Sequence, residues 1–470
     1  MQLSHSRPVV SGVFDEPNLV SAAGLVPVMG LAERAGLGQL ADKWMSVPTD
    51  KGANAGLKIS SLVAGMVAGA DSIDDMALLR HGAMGKVFDA TYAPSTLGSF
   101  LRAFTFGHVR QADAVASRFL INLAEHTSVL GQIDADDAAE TVMVDIDDTI
   151  VEVHGYQKQG AGFGYSGVRG LNAMLATVST QTIAPVIAAQ RLRKGSVGSA
   201  RGATRLITDT LALVGRTHLA GQPVLVRADS AFYSHALVSA AMKAGAAVSV
   251  TVRMDPAVKR AIASIDPDAW TTIKYTDAIF DEATGTWISK AQLAEVPFTA
   301  FTSKKKAQQV PGRLVVRRIP DLAPKAGHGQ GTLFQTWRFH AFFTTTGPAE
   351  VDTITADATH RRHAIIENVH ADLKASALAH LPSGLFNANA AWLVCAVMAF
   401  NLTRAAATLT KVTSLAKAAT ATIRRKLITV PARVSSSARR LHLHLPQNWP
   451  WEMAWSALYD TVFTPPAAVT

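Results

Sequence analysis

The sequence predicts an α/β protein: a mixed sheet core with a β-rich insertion, flanked by helical N-terminal and C-terminal regions. Three observations predict it. Apolar strands alternate with helical pattern between 141 and 253, the rhythm of parallel crossovers. Short β-branched and aromatic segments then follow one another from about 265 to 346. Helical spacing fills the chain before 130 and resumes at Ala358. The expected regions are a helical N-terminal part (1–130), the core in two parts (131–264 and 347–410), the insertion (265–346) and a basic C-terminal part (411–470).

The N-terminal helices are expected over Pro27–Ala35, Ile59–Gly69, Ser72–Arg80, Ser95–Phe106 and Arg110–Glu125. Pro27 suits a first helical position, where its missing N–H leaves nothing unpaired. Asp71 and Pro94-Ser95-Thr96 are residues that start helices. Arg102, His108 and Arg110 suit either a DNA-facing surface or ordinary solvated charge.

Asp134, Asp136, Asp137 and Glu140 make an acidic turn. Strands are expected at 141–147, 173–180, 183–189, 223–229 and 246–253, with helices over 200–214 and 233–244. Between the first two strands lies a Gly-rich connection from Gly155 to Gly170. It lacks the G-x-x-x-x-G-K-[ST] order of a phosphate loop, so it reads as a long hairpin or substrate loop. In the insertion, strands are expected at Trp270–Tyr275, Thr286–Ile288, Phe298–Phe301, Arg313–Arg318 and Trp337–Phe343.

Composition narrows the function. The chain has 470 residues, 48% of them hydrophobic, which is enough to build a large core. Its net charge is +9, which makes a polyanionic partner plausible. A single cysteine, Cys395, rules out a disulfide scaffold and fits a reducing compartment. The apolar runs Leu62–Ala70 and Ala390–Phe400 are shorter than the ~20 residues that span a bilayer, so both read as core helix and no membrane partner is expected. The N-terminal stretch does not read as a signal peptide. After Asp372 no acidic residue appears until Glu452, while Lys374, Arg404, Lys411, Lys417, Arg424, Arg425, Lys426, Arg433, Arg439 and Arg440 all fall between them. Clustered positive charge is the footprint of a phosphate-backbone binder, or else of a basic tail.

Two expected strands end in carboxylates, Asp145-Ile-Asp147-Asp148 and Asp229, and functional groups gather at such ends in open sheets. A third carboxylate, Glu367, lies on a helix whose same face carries His363, His370 and Lys374. Three carboxylates suit two Mg²⁺ ions, which take oxygen ligands and drive phosphodiester displacement. Zinc at His360, His363 and His370 is the weaker metal reading, since no Cys and no H-E-x-x-H pattern supports it. Nucleophilic triad chemistry lacks its G-x-S-x-G elbow.

In order and spacing these segments resemble a bacterial insertion-sequence transposase of the IS1380 type, in the IS4-like DDE group. They are Asp71-Ser-Ile-Asp-Asp-Met-Ala-Leu-Leu-Arg-His-Gly, Ala93-Pro-Ser-Thr-Leu-Gly-Ser-Phe-Leu-Arg, Asp145-Ile-Asp-Asp-Thr, Arg227-Ala-Asp-Ser-Ala-Phe-Tyr, Ala294-Glu-Val-Pro-Phe-Thr-Ala-Phe-Thr-Ser, Arg313-Leu-Val-Val-Arg-Arg, and Glu367-Asn with Lys374.

The resemblance implies an RNase H-like core and a metal-binding triad of Asp147, Asp229 and Glu367, with Asp145 as the alternative first acid. It implies two Mg²⁺ ions, for which Mn²⁺ can substitute. It implies cut-and-paste cleavage and strand transfer on double-stranded DNA, at terminal inverted repeats and at target DNA. A homodimer on paired ends and a place in the bacterial cytoplasm beside the nucleoid come with it. The family's Tyr-Arg-Glu-Lys signature has His360 at the Tyr position and His363 at the Arg position. Phosphate contact therefore falls to Lys374, with Arg361, Arg362 or His363. A catalytically silent DNA-binding derivative and a nuclease without strand transfer are the competing readings.

Overall fold

The computed structural model describes residues 10–48, 50–131, 140–155, 157–281, 285–320, 337–438 and 440–464. The chain forms two units, one drawn from Met1–Thr127, Ala375–Ser383 and Asn387–Thr470, the other from Ser128–Lys374 and Gly384–Phe386. The acidic turn at Asp134, Asp136 and Asp137 lies outside the described residues, as does Arg439.

The first unit opens with β1 (Leu19–Val20), α1 (Leu25–Arg34), α2 (Leu37–Trp44), α3 (Ala55–Ala68), α4 (Met84–Val87), α5 (Pro94–Arg102) and α6 (Phe106–His126). Helix α2 was not expected; it follows α1 after a single left-handed glycine, Gly36. The helix expected over 72–80 is instead a 3₁₀ turn, Asp74–Leu79. There the Asp75 carboxylate accepts from the Ser72 hydroxyl at 2.7 Å and the Ser72 N–H at 3.2 Å. Such local bonds compete with the α-helical ladder. Helix α6 begins a turn earlier than expected. The Thr105 N–H donates to His108 Nδ1 at 3.1 Å, and the Thr105 side chain accepts from the third backbone N–H, a reciprocal cap. Arg102 and Arg110 also have local partners, Ser99 at 3.1 Å and Asp113 at 2.7 Å.

The second unit contains β2 (Val142–Glu152), β3 (Gly162–Phe163), β4 (Arg169–Ser179), β5 (Val186–Lys194), α7 (Ala203–Val214), β6 (Val224–Ala228), α8 (His235–Lys243), β7 (Ala247–Thr251) and α9 (Pro256–Ala263). It continues with β8 (Thr271–Asp281), β9 (Thr286–Ala300), β10 (Val310–Pro320), β11 (Trp337–Thr344), α10 (Thr353–Arg361), a 3₁₀ turn at Arg362–Ala364, and α11 (Ile365–Lys374).

Among the described residues these strands form one ten-stranded sheet. Its core runs β5–β4–β2–β6–β7. The β5–β4–β2 pairs are antiparallel and the β2–β6–β7 pairs parallel, the arrangement of an RNase H-like core. The expected β-rich insertion extends the core sheet. Strand β11 pairs antiparallel with β7, and β10, β9 and β8 follow it outward, so the edge that β7 would expose is covered. The segments expected as two strands at 286–288 and 298–301 belong to the single long β9. In the Gly-rich connection, a Cβ at Gly170 would stand 2.4 Å from the Val151 carbonyl oxygen and one at Gly164 2.5 Å from that of Gly195. Close backbone crossing, more than reach, explains glycine there.

The chain closes the first unit with α12 (Phe386–Thr408), α13 (Thr413–Ala416), α14 (Thr420–Ile423), a π-helical turn at Arg424–Ile428, β12 (Ala432–Ser437), β13 (Arg440–His444) and α15 (Glu452–Phe463). The apolar run at 390–400 is part of a 23-residue helix that is long and apolar enough to cross a bilayer, but its apolar window is wholly buried within the protein. The C-terminal region is not simply helical. Strands β1, β12 and β13 form a three-stranded antiparallel sheet. Two cations of the basic stretch after Asp372 have structural work: Arg404 is buried and donates to the Ala416 carbonyl, and Arg424 donates to the Val67 carbonyl at 3.2 Å.

Candidate active site

Side chains alternate along a strand, so Asp145 and Asp147 share one face of β2 while Asp148 points to the other. Strand β2 runs on to Glu152, so both acids lie mid-strand and not at its end as expected. The parallel register with β6 pairs Asp145 with Arg227 and Ile146 with Ala228. Carried one step further, it sets Asp147 beside Asp229, just past the end of β6. One register thus gives Asp145 an arginine for a neighbour and Asp147 a second carboxylate.

The inner pair is neutralised. Arg227 and Asp145 are both fully buried. Arg227 Nε donates to Asp145 Oδ1 at 2.8 Å and Nη2 to Oδ2 at 2.7 Å, the two-pronged geometry that guanidinium favours. Its Nη1 donates to the Thr359 carbonyl at 2.6 Å, and His363 Nδ1 donates to Asp145 Oδ1 at 2.8 Å. The network ties β2 and β6 to the helical segment that leads into α11. Sequence reading missed this role for Arg227. The available signal was an arginine and an aspartate each embedded in an apolar strand, since buried charges need partners.

The outer pair has no Lys or Arg partner among the described residues. Asp147 is partly buried, and its Oδ1 accepts the Asp148 N–H at 2.7 Å. Desolvation raises its pKa to about 7, with the Asp229 charge adding to the rise and His363 opposing it. Desolvation also raises the pKa of Asp229, whose Oδ1 accepts the Ala231 N–H at 2.9 Å. On the opposite face Asp148 is paired with Arg193 and accepts from the Ser199 hydroxyl at 3.2 Å. Arg193 also donates to Asn172 at 2.9 Å and to the Arg201 carbonyl at 2.7 Å, which secures the turn before α7.

Helix α11 lies along β2. His370 is buried and hydrogen-bonded to the Asp147 backbone; its Nε2 lies 3.7 Å from Asp147 Oδ2, beyond hydrogen-bond distance. Lys374 Nζ reaches Thr149 Oγ1 at 3.4 Å. Glu367 shares the face of His363, His370 and Lys374 and is exposed. Among the described residues no three His, Cys, Asp or Glu side chains converge tightly enough to enclose an ion. The structure therefore brings Asp147 and Asp229 together and places Glu367 on the facing helix, outside that pair. A third carboxylate beside two others is repelled unless a cation lies between them.

His360 has no part in a metal site. Its ring stacks on Phe342 at 4.1 Å, and its nitrogens meet the hydroxyls of Ser249 and Thr251 at 2.9 and 3.0 Å. Arg361 pairs with Asp357 at 2.8 Å and lies 5.1 Å over the Tyr275 ring. His363 is held by Asp145. Arg362 is exposed and has no partner among the described residues.

Burial holds His360 neutral down to about pH 3 and His370 down to about pH 4. The unfolded chain takes up these protons near pH 6.5. Their contribution to stability is therefore complete above pH 6.5 and is lost as pH falls toward 3. The melting temperature of the parent is expected to fall more steeply from pH 6.5 to 4 than that of His360→Gln. Parallel curves in calorimetry would refute this.

The chain matches the family model described as Transposase DDE domain group 1 over residues 3–464. No curated protein matches it. Among solved structures it is similar to the piggyBac transposase, seen by cryo-EM in a synaptic complex with hairpin DNA. The identity is 10% and the TM-score 0.40, over 94% of this chain and 83% of that one.

Proposed function

Because this chain belongs to the Transposase DDE domain group 1 family, we propose that it cuts double-stranded DNA at the ends of a mobile element and joins those ends to target DNA. The observation that carries the reading is the carboxylate pair Asp147–Asp229, close enough for one charge to act on the other and without a Lys or Arg partner among the described residues, one of the two with a pKa near 7. The residues fit a divalent metal. Oxygen donors suit Mg²⁺ or Mn²⁺, and the carboxylates Asp147 and Asp229, each with its pKa raised, are a donor pair that a divalent cation would balance.

Asp147, Asp229 and Glu367 would hold two Mg²⁺ ions. When bound, such ions activate the attacking hydroxyl or water and stabilise the leaving oxygen. Asp145 is the weaker first ligand, because both of its oxygens already serve Arg227. Lys374 and the exposed Arg362 lie on the same helical segment as Glu367 and would grip the phosphate next to the scissile bond, whereas Arg361 and His363 are committed to carboxylates. The resemblance of the motif segments supports the IS1380 type, recognition of terminal inverted repeats, a homodimer on paired ends and action in the bacterial cytoplasm.

The test is a supercoiled plasmid carrying the DNA that flanks the coding sequence on both sides, incubated with Mg²⁺. Cleavage at the element ends followed by joining is expected. Glu367→Gln should lose more than about 100-fold of the cleavage rate, since losing a ligand costs more than losing its outer-shell support. If the parent cuts no faster than this variant, the enzymatic reading falls. Cleavage without joining would favour the nuclease.

A further inference from the structure

The hairpin β12–β13 has a two-sided chemistry that helical reading of the C-terminal region missed. Its register pairs Arg433 with His444, Ser435 with His442 and Ser437 with Arg440. Alternation puts all six side chains on one face. Five of the six residues are exposed and Ser435 is partly so. The other face turns Ala432 and Val434 into the first unit. On the outward face Ser435 Oγ meets His444 Nε2 at 2.8 Å and Ser437 Oγ meets His442 Nε2 at 3.3 Å. These diagonal bonds hold both rings in place across the strands, so little ordering remains to be done on binding. The face carries guanidinium, imidazole and hydroxyl groups and no carboxylate. On the neighbouring β1 side, Glu16 caps the Asn18 N–H at 2.8 Å, while Lys86 donates to the Asn18 side chain at 2.6 Å.

We infer that this β-ribbon is a DNA-contact surface that enters the major groove of the duplex on which the proposed transposase acts. The inference rests on the DNA reading above and names where the duplex is held. Charge complementarity selects a polyanion. A two-stranded ribbon matches the width of a major groove, whose base edges and flanking phosphates accept from arginine and serine. Among the described residues β13 is an edge strand, so the ribbon can approach without disturbing the sheet.

The experiment uses the full chain and a duplex taken from the flanking DNA, with binding followed by fluorescence anisotropy across a salt series. The double variant Arg433→Gln/Arg440→Gln should bind roughly tenfold more weakly, and its slope of log affinity on log salt should be shallower by about 1.8. Arg433→Lys/Arg440→Lys should keep the parental slope. Lys243→Ala/Lys259→Ala, on exposed positions of α8 and α9, removes the same net charge and should change neither. Methylating guanine N7, which blocks the major groove, should weaken parental binding. An unchanged slope in the glutamine variant, an equal loss in the α8/α9 variant, indifference to N7 methylation, or tighter binding to anionic vesicles than to duplex each overturns the ribbon assignment alone. Absence of any duplex binding by the parent overturns it together with the proposed function.

Discussion

Asp147→Asn is expected to abolish metal-dependent cleavage, by at least about 10³-fold, and at the same time to make the metal-free protein more stable above pH 7. Active-site groups held at a cost to the fold give such opposed outcomes. The sign follows from the pKa. Asp147 titrates near 7 in the folded chain and near 3.9 when unfolded. The unfolded state therefore releases its proton first as pH rises. Stability falls between about pH 4 and 7, and the full penalty is present above 7. Asparagine has no such proton to lose. The two melting temperatures should coincide below about pH 4 and separate at pH 8, with the variant higher. Adding Mg²⁺ should close the gap by stabilising the parent and not the variant, because a ligand stabilises the state that binds it. A variant that melts lower than the parent at pH 8 would sink the account of the carboxylate pair.

The motif that suggested this site was legible in the chain, but the division of roles within it was not. Asp145 and Asp147 have the same parity, so alternation alone places both on one face and cannot say which of them meets a cation. Register decides: Asp145 falls opposite Arg227, and Asp147, two residues on, meets the charge of Asp229 just past the end of β6. Register is a long-range property of two strands about eighty residues apart. Local pattern found the core strands and helices of 142–251, because period two and period 3.6 are written in consecutive residues. It split β9 in two, where charged and small residues interrupt an otherwise continuous strand. It also missed β12–β13, whose Val434, Leu441 and Leu443 alternate with Arg, Ser and His inside a run of basic charge that drew attention first. His360 illustrates the same limit. Its place in the signature suggested chemistry, while the fold uses it to fasten α10 to β7 through Ser249 and Thr251.

Arg227→Met should do the reverse of Asp147→Asn: it should destabilise the second unit first and impair cleavage as a consequence. Methionine fills much of the volume but leaves Asp145 buried without its cation. Breaking a buried ion pair from one side costs roughly 3–5 kcal/mol, which for a unit of this size lowers its melting temperature on the order of 10 °C. Asp145→Asn alone should also destabilise, by leaving the guanidinium short of its counter-charge. Combining the two should recover part of the loss, because the two side chains form one interaction and cannot add independently. The same network holds His363 and the Thr359 carbonyl, and so sets the approach of the segment carrying Glu367. Cleavage by Arg227→Met, measured well below its melting temperature, should therefore be slower and need more Mg²⁺ for half-maximal rate. The comparison also separates the two candidate first acids. If Asp145 were the metal ligand, Asp145→Asn would abolish cleavage with little loss of stability, and Asp147→Asn would leave cleavage largely intact. Buried geometry leads to the opposite expectation on both counts, because Asp145 is buried and already accepts from an arginine through both oxygens and from His363, whereas Asp147 is left with a like-charged neighbour.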